Sequence, residues 1–201
     1  MTYGLSTVTA ASSDPVTTDE AKTHVAVDDT FYDTFIGSLI TAATSHVEAL
    51  TNRQIMSATF DLKVDRFPGG RRHLFLPRGQ LTSVTSVSYT DTNGASQTFS
   101  ASDYAVVTAQ EPGLIEPVYD KVWPAARLQA DSVVVRFVAG YASAADVPQG
   151  IKQAILLLVG HWFNNREGVT FGSTSEVPMA VRSLADQFRL GDAFTCYAPV
   201  S

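Results

Sequence analysis

The sequence of 201 residues predicts an α+β fold, in which about four helices form a core and a small antiparallel β-sheet is inserted between the N-terminal helices and a central buried helix. Apolar residues recur at helical spacing near both ends of the chain. Between them, residues 55–141 contain short segments in which apolar and polar residues alternate, as in half-buried strands. Turn residues separate these segments at short intervals, which favours antiparallel pairing.

Two helices are predicted before the sheet, at residues 17–25 and 29–51. Thr17 stands three residues before a glutamate, an arrangement that satisfies two backbone N–H groups at the start of a helix. Asp28 and Asp29 are expected to cap the second helix, because their carboxylates can accept hydrogen bonds from its first N–H groups. Apolar residues at helical spacing form the predicted buried face of this second helix: Phe35, Ile36, Leu39, Ile40, Ala43, Val47 and Leu50.

The inserted sheet begins with strict alternation of apolar and polar residues. Predicted strands cover residues 56–64, 73–77, 81–89, 97–99, 104–108, 114–116 and 131–141. The turn at residues 91–94, Asp-Thr-Asn-Gly, predicts a hairpin. Residues 111–130 are rich in proline, and we expect them to cross the edge of the sheet as irregular chain, with Trp123 packed there.

The segment 148–167 predicts the central helix. Pro148 suits a first helical turn, and Gly168 can take the left-handed conformation that ends a helix. Its apolar residues cover nearly every side, so other elements must surround it. Six residues follow one helical face: Ile151, Ala154, Ile155, Leu158, Trp162 and Phe163. Burial of six large side chains of this kind is worth roughly 1.5–3 kcal/mol each, on the order of 10 kcal/mol together. The uncharged apolar run is far shorter than the ~20 residues that a bilayer requires, so we predict no membrane association.

The last predicted elements are a loop at residues 168–177 and a helix at residues 178–190. We expect one compact domain at residues 16–190, with an N-terminal arm at residues 1–15 that orders on contact and a C-terminal tail at residues 191–201. The arm lacks the basic start and apolar run of a secretory signal.

Composition argues against a nucleic-acid-binding groove. The net charge is −6 and the isoelectric point about 5.1, whereas binding to phosphates depends on clustered basic residues. Arg71, Arg72 and Arg78 form the only local cluster, which we interpret as the solvated edge of a hairpin. The single cysteine, Cys196, suits a reducing compartment.

No catalytic, metal-binding or cofactor-binding motif is apparent. The four histidines, at 24, 46, 73 and 161, have no second ligand at metal-binding spacing. His161 is the most plausible general base, but a structural role beside Trp162 is the simpler interpretation. The acidic pairs Asp19–Glu20 and Asp28–Asp29 lie where helix starts favour negative charge. We therefore predict a protein that is not an enzyme and has no cofactor.

Five segments follow one another along the chain: TTDEAKTHVAVDD, SLITAATSHVEALTNRQI, LPRGQLTSVTSVSYTDTNG, EPVYDKVWPAAR and VVVRFVAGYASAADVPQGIKQAILLLVGHWFNNREG. In this order they resemble the head–tail connector, or adaptor, proteins of tailed bacteriophages and gene transfer agents, and the resemblance covers about residues 16–190. It identifies residues 16–190 as a connector domain.

The resemblance implies a structural virion protein that is assembled in the host cytoplasm and located in the neck. Such a protein forms a homo-oligomeric ring, usually twelvefold, on the portal protein, and it carries the next ring of stopper or tail-completion protein. Double-stranded DNA passes through the ring without specific binding. An acidic wall suits that passage, because it repels DNA.

By position in the chain, the resemblance also implies two sets of contact residues. The end of the chain would contact the portal or another partner, through Leu184, Phe188, Leu190, Phe194, Tyr197 and Val200. The 168–177 loop would contact a neighbouring subunit or ring, through Val169, Phe171 and Val177.

Three alternatives remain at this stage. The chain could be a stopper or tail-completion protein, one ring further along the neck. It could bind a glycan or small molecule on a stacking platform of Trp123, Tyr119 and Tyr141. It could also be a hydrolase that uses His161 with a distant carboxylate.

Overall fold

A computed structural model describes residues 3–69, 73–165 and 179–191, and these residues divide into two compact units. The strand unit contains Ser57–Tyr141 with the described residues before Ser13 and after Arg189. The helical unit contains Ser13–Met56 and Ala142–Arg189. We expected one compact domain, but the helices and strands each build a core of their own. The predicted bounds of the arm, the connector domain and the tail stay a prediction.

Four α-helices form the helical unit. They are α1 (Thr18–Val25), α2 (Asp33–Thr51), α3 (Gln149–Asn164) and α4 (Met179–Asp186), with short 3-10 helices at Thr30–Tyr32 and Ala144–Asp146. Helix α3 packs against each of the other three, as expected for the central element. None of the described helices is long and apolar enough to cross a membrane.

The predicted cap of α1 is confirmed. The backbone N–H of Glu20 donates to Thr17 Oγ1 at 3.1 Å, and the backbone N–H of Thr17 donates to Glu20 Oε2 at 2.7 Å. The bond that the Glu20 carboxylate accepts from the Thr17 backbone N–H is the largest cause that holds the pKa of Glu20 below its usual value, and a bond from Thr17 Oγ1 to Glu20 Oε2 at 3.0 Å adds to it. The two bonds to backbone N–H groups form the capping box of α1. Each satisfies an N–H group that the helix itself leaves without an acceptor.

The predicted cap of the second helix was wrong. Asp29 accepts from the backbone N–H of Phe31 at 2.9 Å and so caps the 3-10 helix, not α2. Helix α2 begins only at Asp33, and no side chain caps it. The first turn after Asp29 is thus a 3-10 helix that leads into α2, and Phe31 within it is 79% exposed.

Helix α3 is buried along its first three turns and less so at its end. Its buried residues are Ile151, Ala154, Ile155, Leu158 and Val159. Trp162 and Phe163, which we expected in the same core, are half-buried. The helix ends at Asn164, and Asn165 donates to the His161 carbonyl from its backbone N–H (3.0 Å) and its side chain (2.8 Å). The predicted stop at Gly168 lies outside the described residues.

Eight strands form the strand unit. They are β1 (Tyr3–Thr9), β2 (Ala58–Val64), β3 (Leu74–Phe75), β4 (Leu81–Thr90), β5 (Ser96–Phe99), β6 (Tyr104–Val107), β7 (Leu114–Pro117) and β8 (Val133–Ala139). All pairs are antiparallel, as predicted. They build two sheets, ordered β1-β2-β8-β4-β5 and β3-β7-β6, instead of the single sheet that we expected. The α+β class is confirmed.

Strand β1 lies within the predicted N-terminal arm. It pairs with β2 from Tyr3↔Val64 to Thr9↔Thr59, so the sheet also uses residues that precede the helices. Only Leu5 of this strand is half-buried, and the remaining residues are exposed. Because nearly all of its side chains face solvent, the strand lacks the alternation by which the inner strands were recognised.

The predicted hairpin between β4 and β5 is confirmed. Asp91 Oδ1 accepts from the backbone N–H groups of Asn93 and Ala95, both at 2.9 Å. Gly94 has φ of +89°, a conformation that side chains disfavour. The hydrogen bonds that the Asp91 carboxylate accepts from backbone N–H groups, first that of Ala95, hold the pKa of Asp91 below its usual value.

Candidate assembly surfaces

The described residues do not assemble the catalytic alternative. His161 lies half-exposed near the end of α3, where its Nδ1 is 3.5 Å from the Asn165 side-chain nitrogen. No group of three or more His, Cys, Asp or Glu side chains within the described ranges could hold a metal ion. The exposed apolar surfaces of the described residues are candidate contact sites.

Trp123 is a core residue and not a stacking platform. It is only 8% exposed, and its ring stacks on Phe67 at 4.8 Å with an interplanar angle of 10°. Phe99 also lies against it, with ring centroids 5.6 Å apart. Because Phe67 stacks on the Trp123 ring, that face of the ring is not available to a ligand. The packing expected for Trp123 is confirmed. Because Trp123 is buried, it does not form an exposed stacking platform with Tyr119 and Tyr141.

Three of the predicted partner-contact residues fall in the described chain. Leu184, Phe188 and Leu190 are all half-buried. The Phe188 ring approaches Gly150 so closely that a Cβ there would lie 2.7 Å from it, and the Phe188 carbonyl accepts from Arg53 Nε. Phe188 thus holds the end of α4 within the helical unit. The remaining predicted residues lie outside the described ranges: Phe194, Tyr197, Val200, Val169, Phe171 and Val177.

The first exposed apolar surface, which we call the aromatic patch, consists of Phe31, Tyr32, Phe35 and Phe163. Ring centroids are 5.1 Å apart for Phe31–Tyr32, 5.5 Å for Tyr32–Phe163 and 6.1 Å for Phe35–Phe163. Phe31 is 79% exposed and Phe35 37% exposed. The patch is therefore a connected set of rings whose outer edge is uncovered.

Acidic residues lie beside the aromatic patch in sequence. Asp28 and Asp29 are exposed, and Asp33 forms an ion pair with Lys22 at 2.8 Å. The Asp33 carboxylate raises the pKa of Lys22. Asp28 has no ion pair within the described residues. The patch thus combines apolar rings with an unmatched negative charge.

The sequence alone did not reveal the patch, because Phe35 falls at helical spacing with the apolar face of α2. The residues of α2 that are buried are Ile36, Ile40, Ala43, Val47 and Thr51. Phe35 lies one residue before Ile36, outside this set of buried residues, and four residues after Phe31. This pair of phenylalanines, four residues apart, is the sequence signal from which the aromatic patch could have been predicted.

The second exposed apolar surface, which we call the apolar loop, runs from Tyr119 to Leu128. Tyr119 is 84% exposed, Val122 62% and Leu128 72%. Buried Trp123 anchors its middle. Hydrogen bonds fix its two sides, because Lys121 N–H donates to the Val118 carbonyl at 3.0 Å and Arg127 N–H donates to the Thr90 carbonyl at 2.9 Å.

The charges of the apolar loop are of both signs. Lys121 forms an ion pair with Asp103 at 3.1 Å, and Asp120 stands next to it in sequence. Arg127 is exposed, lies close to Gly94, and has no ion pair within the described part of the chain. The loop is thus a pinned apolar surface whose unmatched charge is positive.

Comparison with known proteins supplies an identity at the level of the family. Residues 16–189 match the model of the family HCP, head completion protein. Comparison with curated proteins finds no match.

Solved structures share the fold. A chain in the neck of an empty gene transfer agent (GTA) particle, computed with C6 symmetry, has a TM-score of 0.75 and 23% identity, over 94% of this chain and 99% of that one. A chain in the virion of a native GTA particle has a TM-score of 0.75 and 22% identity, over 94% of this chain and 96% of that one. A chain in the neck of a native GTA particle, computed with C12 symmetry, has a TM-score of 0.68 and 22% identity, over 94% of this chain and 99% of that one. The family match confirms the resemblance to head–tail connectors: the chain belongs to the head completion protein family.

Proposed function

We propose that this protein is a structural head–tail adaptor of the virion neck. It forms a ring on the portal, extends the DNA channel and provides the docking platform for the next neck or tail ring. The observation that carries this proposal is the family match over residues 16–189, which spans both units. The shared fold with chains of GTA necks supports it. The protein is assembled into the neck of the virion in the host cytoplasm.

The proposed role requires surfaces and no active site. Two exposed apolar surfaces, the aromatic patch and the apolar loop, are of the kind that protein partners cover. Aromatic side chains such as Phe31 and Tyr119 are enriched in interfaces. The protein acts as a scaffold and catalyses no reaction.

The charge of the chain suits a channel through which DNA passes. The net charge is −6, and residues 14–33 contain six carboxylates (Asp14, Asp19, Glu20, Asp28, Asp29 and Asp33) against one lysine. Repeated around a ring, such acidic segments repel the phosphates of DNA and prevent adhesion. Double-stranded DNA is therefore a passing cargo and not a specific ligand.

The partner contacts proposed from the resemblance involve two parts of the chain. Leu184, Phe188, Leu190 and the later residues Phe194, Tyr197 and Val200 contact the portal or another partner. Val169, Phe171 and Val177 contact a neighbouring copy or ring.

Deletion of the gene from the particle-producing strain tests the proposed function. We expect DNA-filled heads without tails, together with detached tails, in electron micrographs, and re-expression from a plasmid should restore tailed particles. Normal tailed particles in the deletion strain would contradict the proposal. Crosslinking of the C-terminal residues separates an adaptor, which contacts the portal, from a stopper, which contacts only other neck proteins.

A further inference from the structure

The aromatic patch and the apolar loop are unlike surfaces with opposite unmatched charges. The patch offers Phe31 and Phe35, with Asp28 three residues before Phe31 in sequence, whereas the loop offers Tyr119, Val122 and Leu128, with Arg127 directly before Leu128. Within the described residues, Asp28 and Arg127 each lack an ion pair. Each surface thus combines apolar area with a charge that suits the other surface.

We propose that the aromatic patch of one copy packs against the apolar loop of the next copy in the ring. In this interface Phe31 contacts the exposed apolar side chains of the loop, and the Asp28 carboxylate faces the Arg127 guanidinium. The inference rests on the proposed function, because it requires that copies of this chain assemble around a common axis.

Ring symmetry favours a second copy over another protein as the partner. A ring of identical subunits needs a heterologous interface, in which each copy presents two different and complementary surfaces. One surface alone would suit an unrelated partner. Two complementary surfaces on one chain suit repetition of the chain itself.

The local structure suits both surfaces for docking. The Asp29 cap and the contact of Tyr32 with Phe163 fix the position of Phe31. The stacked ring of Trp123 fixes the loop. Because both surfaces are held before they meet, little conformational entropy is lost when they pack together. Phe31 inserts as an aromatic anchor, and the charges lie at the rim.

Photo-crosslinking in assembled particles tests this contact. The photoreactive residue p-benzoylphenylalanine replaces Phe31, which is exposed enough for the chain to fold normally, and it replaces exposed Tyr3 of β1 in a control variant. We expect irradiation of the position-31 variant to produce a covalent dimer of this protein whose crosslinked peptide contains residues 119–128. The Tyr3 variant should not produce that peptide.

The outcomes separate this contact from the proposed function. A crosslink from position 31 to another protein, to another part of this chain, or to nothing, in particles that contain the protein in the neck, would overturn the contact alone. Absence of the protein from the particle would overturn the proposed function and this inference together.

Charge exchange provides a second, independent measurement. The single substitutions Asp28→Lys and Arg127→Glu should each lower the yield of the position-31 dimer about threefold, the scale of one exposed charge contact. The double variant carries the pair reversed and should restore the yield. If the dimer yield of the double variant instead falls about ninefold, which is the product of the two single effects, the two charges do not face each other and the proposed contact is wrong.

Discussion

The two units differ in where they keep their aromatic side chains. In the strand unit six are buried: Phe60, Phe67, Phe99, Tyr104, Trp123 and Phe137. In the helical unit the buried residues are aliphatic, chiefly Ile36, Ile40, Ile151, Ile155 and Leu158. The aromatic residues that the structure describes there are half-buried or exposed: Phe31, Tyr32, Phe35, Trp162, Phe163 and Phe188.

This difference separates stability from assembly. A buried aromatic ring stabilises the unit that contains it, because its apolar area is removed from water on folding. A ring left at the surface contributes little to folding and keeps its apolar area for a partner. The strand unit therefore uses six of its rings to fold and exposes others, such as Tyr119, whereas the helical unit buries none of its described rings fully and keeps several available for contacts between molecules.

The largest expected effect is a matched pair of aromatic substitutions. Phe137→Ala should lower the free energy of unfolding by about 3–5 kcal/mol, because the ring is fully buried and leaves a cavity beside Phe60. Phe31→Ala should change it by less than about 0.5 kcal/mol. Urea unfolding measures both. Equal losses in the two variants would show that the aromatic patch is part of a core.

Two glycines give a smaller contrast between the units. A Cβ at Gly113 would lie 2.5 Å from the Leu81 Cβ, whereas a Cβ at Gly37 of α2 would meet nothing within 4 Å. Gly113→Ala should destabilise the protein by about 1–3 kcal/mol through overpacking. Gly37→Ala should stabilise it by up to about 1 kcal/mol, because alanine favours the helix. Urea unfolding would contradict this prediction if Gly113→Ala matched the wild type.

The smallest expected effect concerns the charged pair on the outer face of the larger sheet. Arg136 donates from Nε and Nη2 to the two carboxylate oxygens of Asp61, both at 2.8 Å. This hydrogen bonding holds the pKa of Asp61 below its usual value, although burial opposes it. Asp61→Asn should therefore lower the free energy of unfolding by about 1 kcal/mol at neutral pH.

The pH dependence of that effect follows from the direction of the pKa shift. In the unfolded chain Asp61 titrates near pKa ~3.9, above its folded value, so the unfolded state binds more protons in acid. The stabilisation is present above that pH and is lost as the pH falls through the folded pKa. The difference between wild type and Asp61→Asn should hence shrink in acid. A difference that stayed constant down to low pH would mean that the carboxylate charge is not involved.

Local sequence signals predicted much of the fold. The Thr17–Glu20 cap, the turn at residues 91–94 and the alternation in β2 each depend on neighbours in the chain, and each is confirmed. Strand β1 and the division into two sheets depend on pairing between distant residues, which periodicity does not encode.

The candidate surfaces were harder to predict than the fold. The resemblance to head–tail connectors indicated the family, but its contact residues were placed by position in the chain. Phe31 and Phe35 are apolar and stand at helical spacing, as core residues do, and only their exposure in the fold shows that they face outward. Whether an apolar side chain is exposed depends on which other parts of the chain pack over it, and only the folded structure shows that.

A cryo-electron microscopy map of the native particle tests the central claim most directly. We expect a ring between portal and tail in which each repeat fits the helical unit and the strand unit of this chain, with side-chain density for Phe137 and Trp123. A neck whose rings all fit other proteins, with this chain elsewhere or absent, would contradict the account.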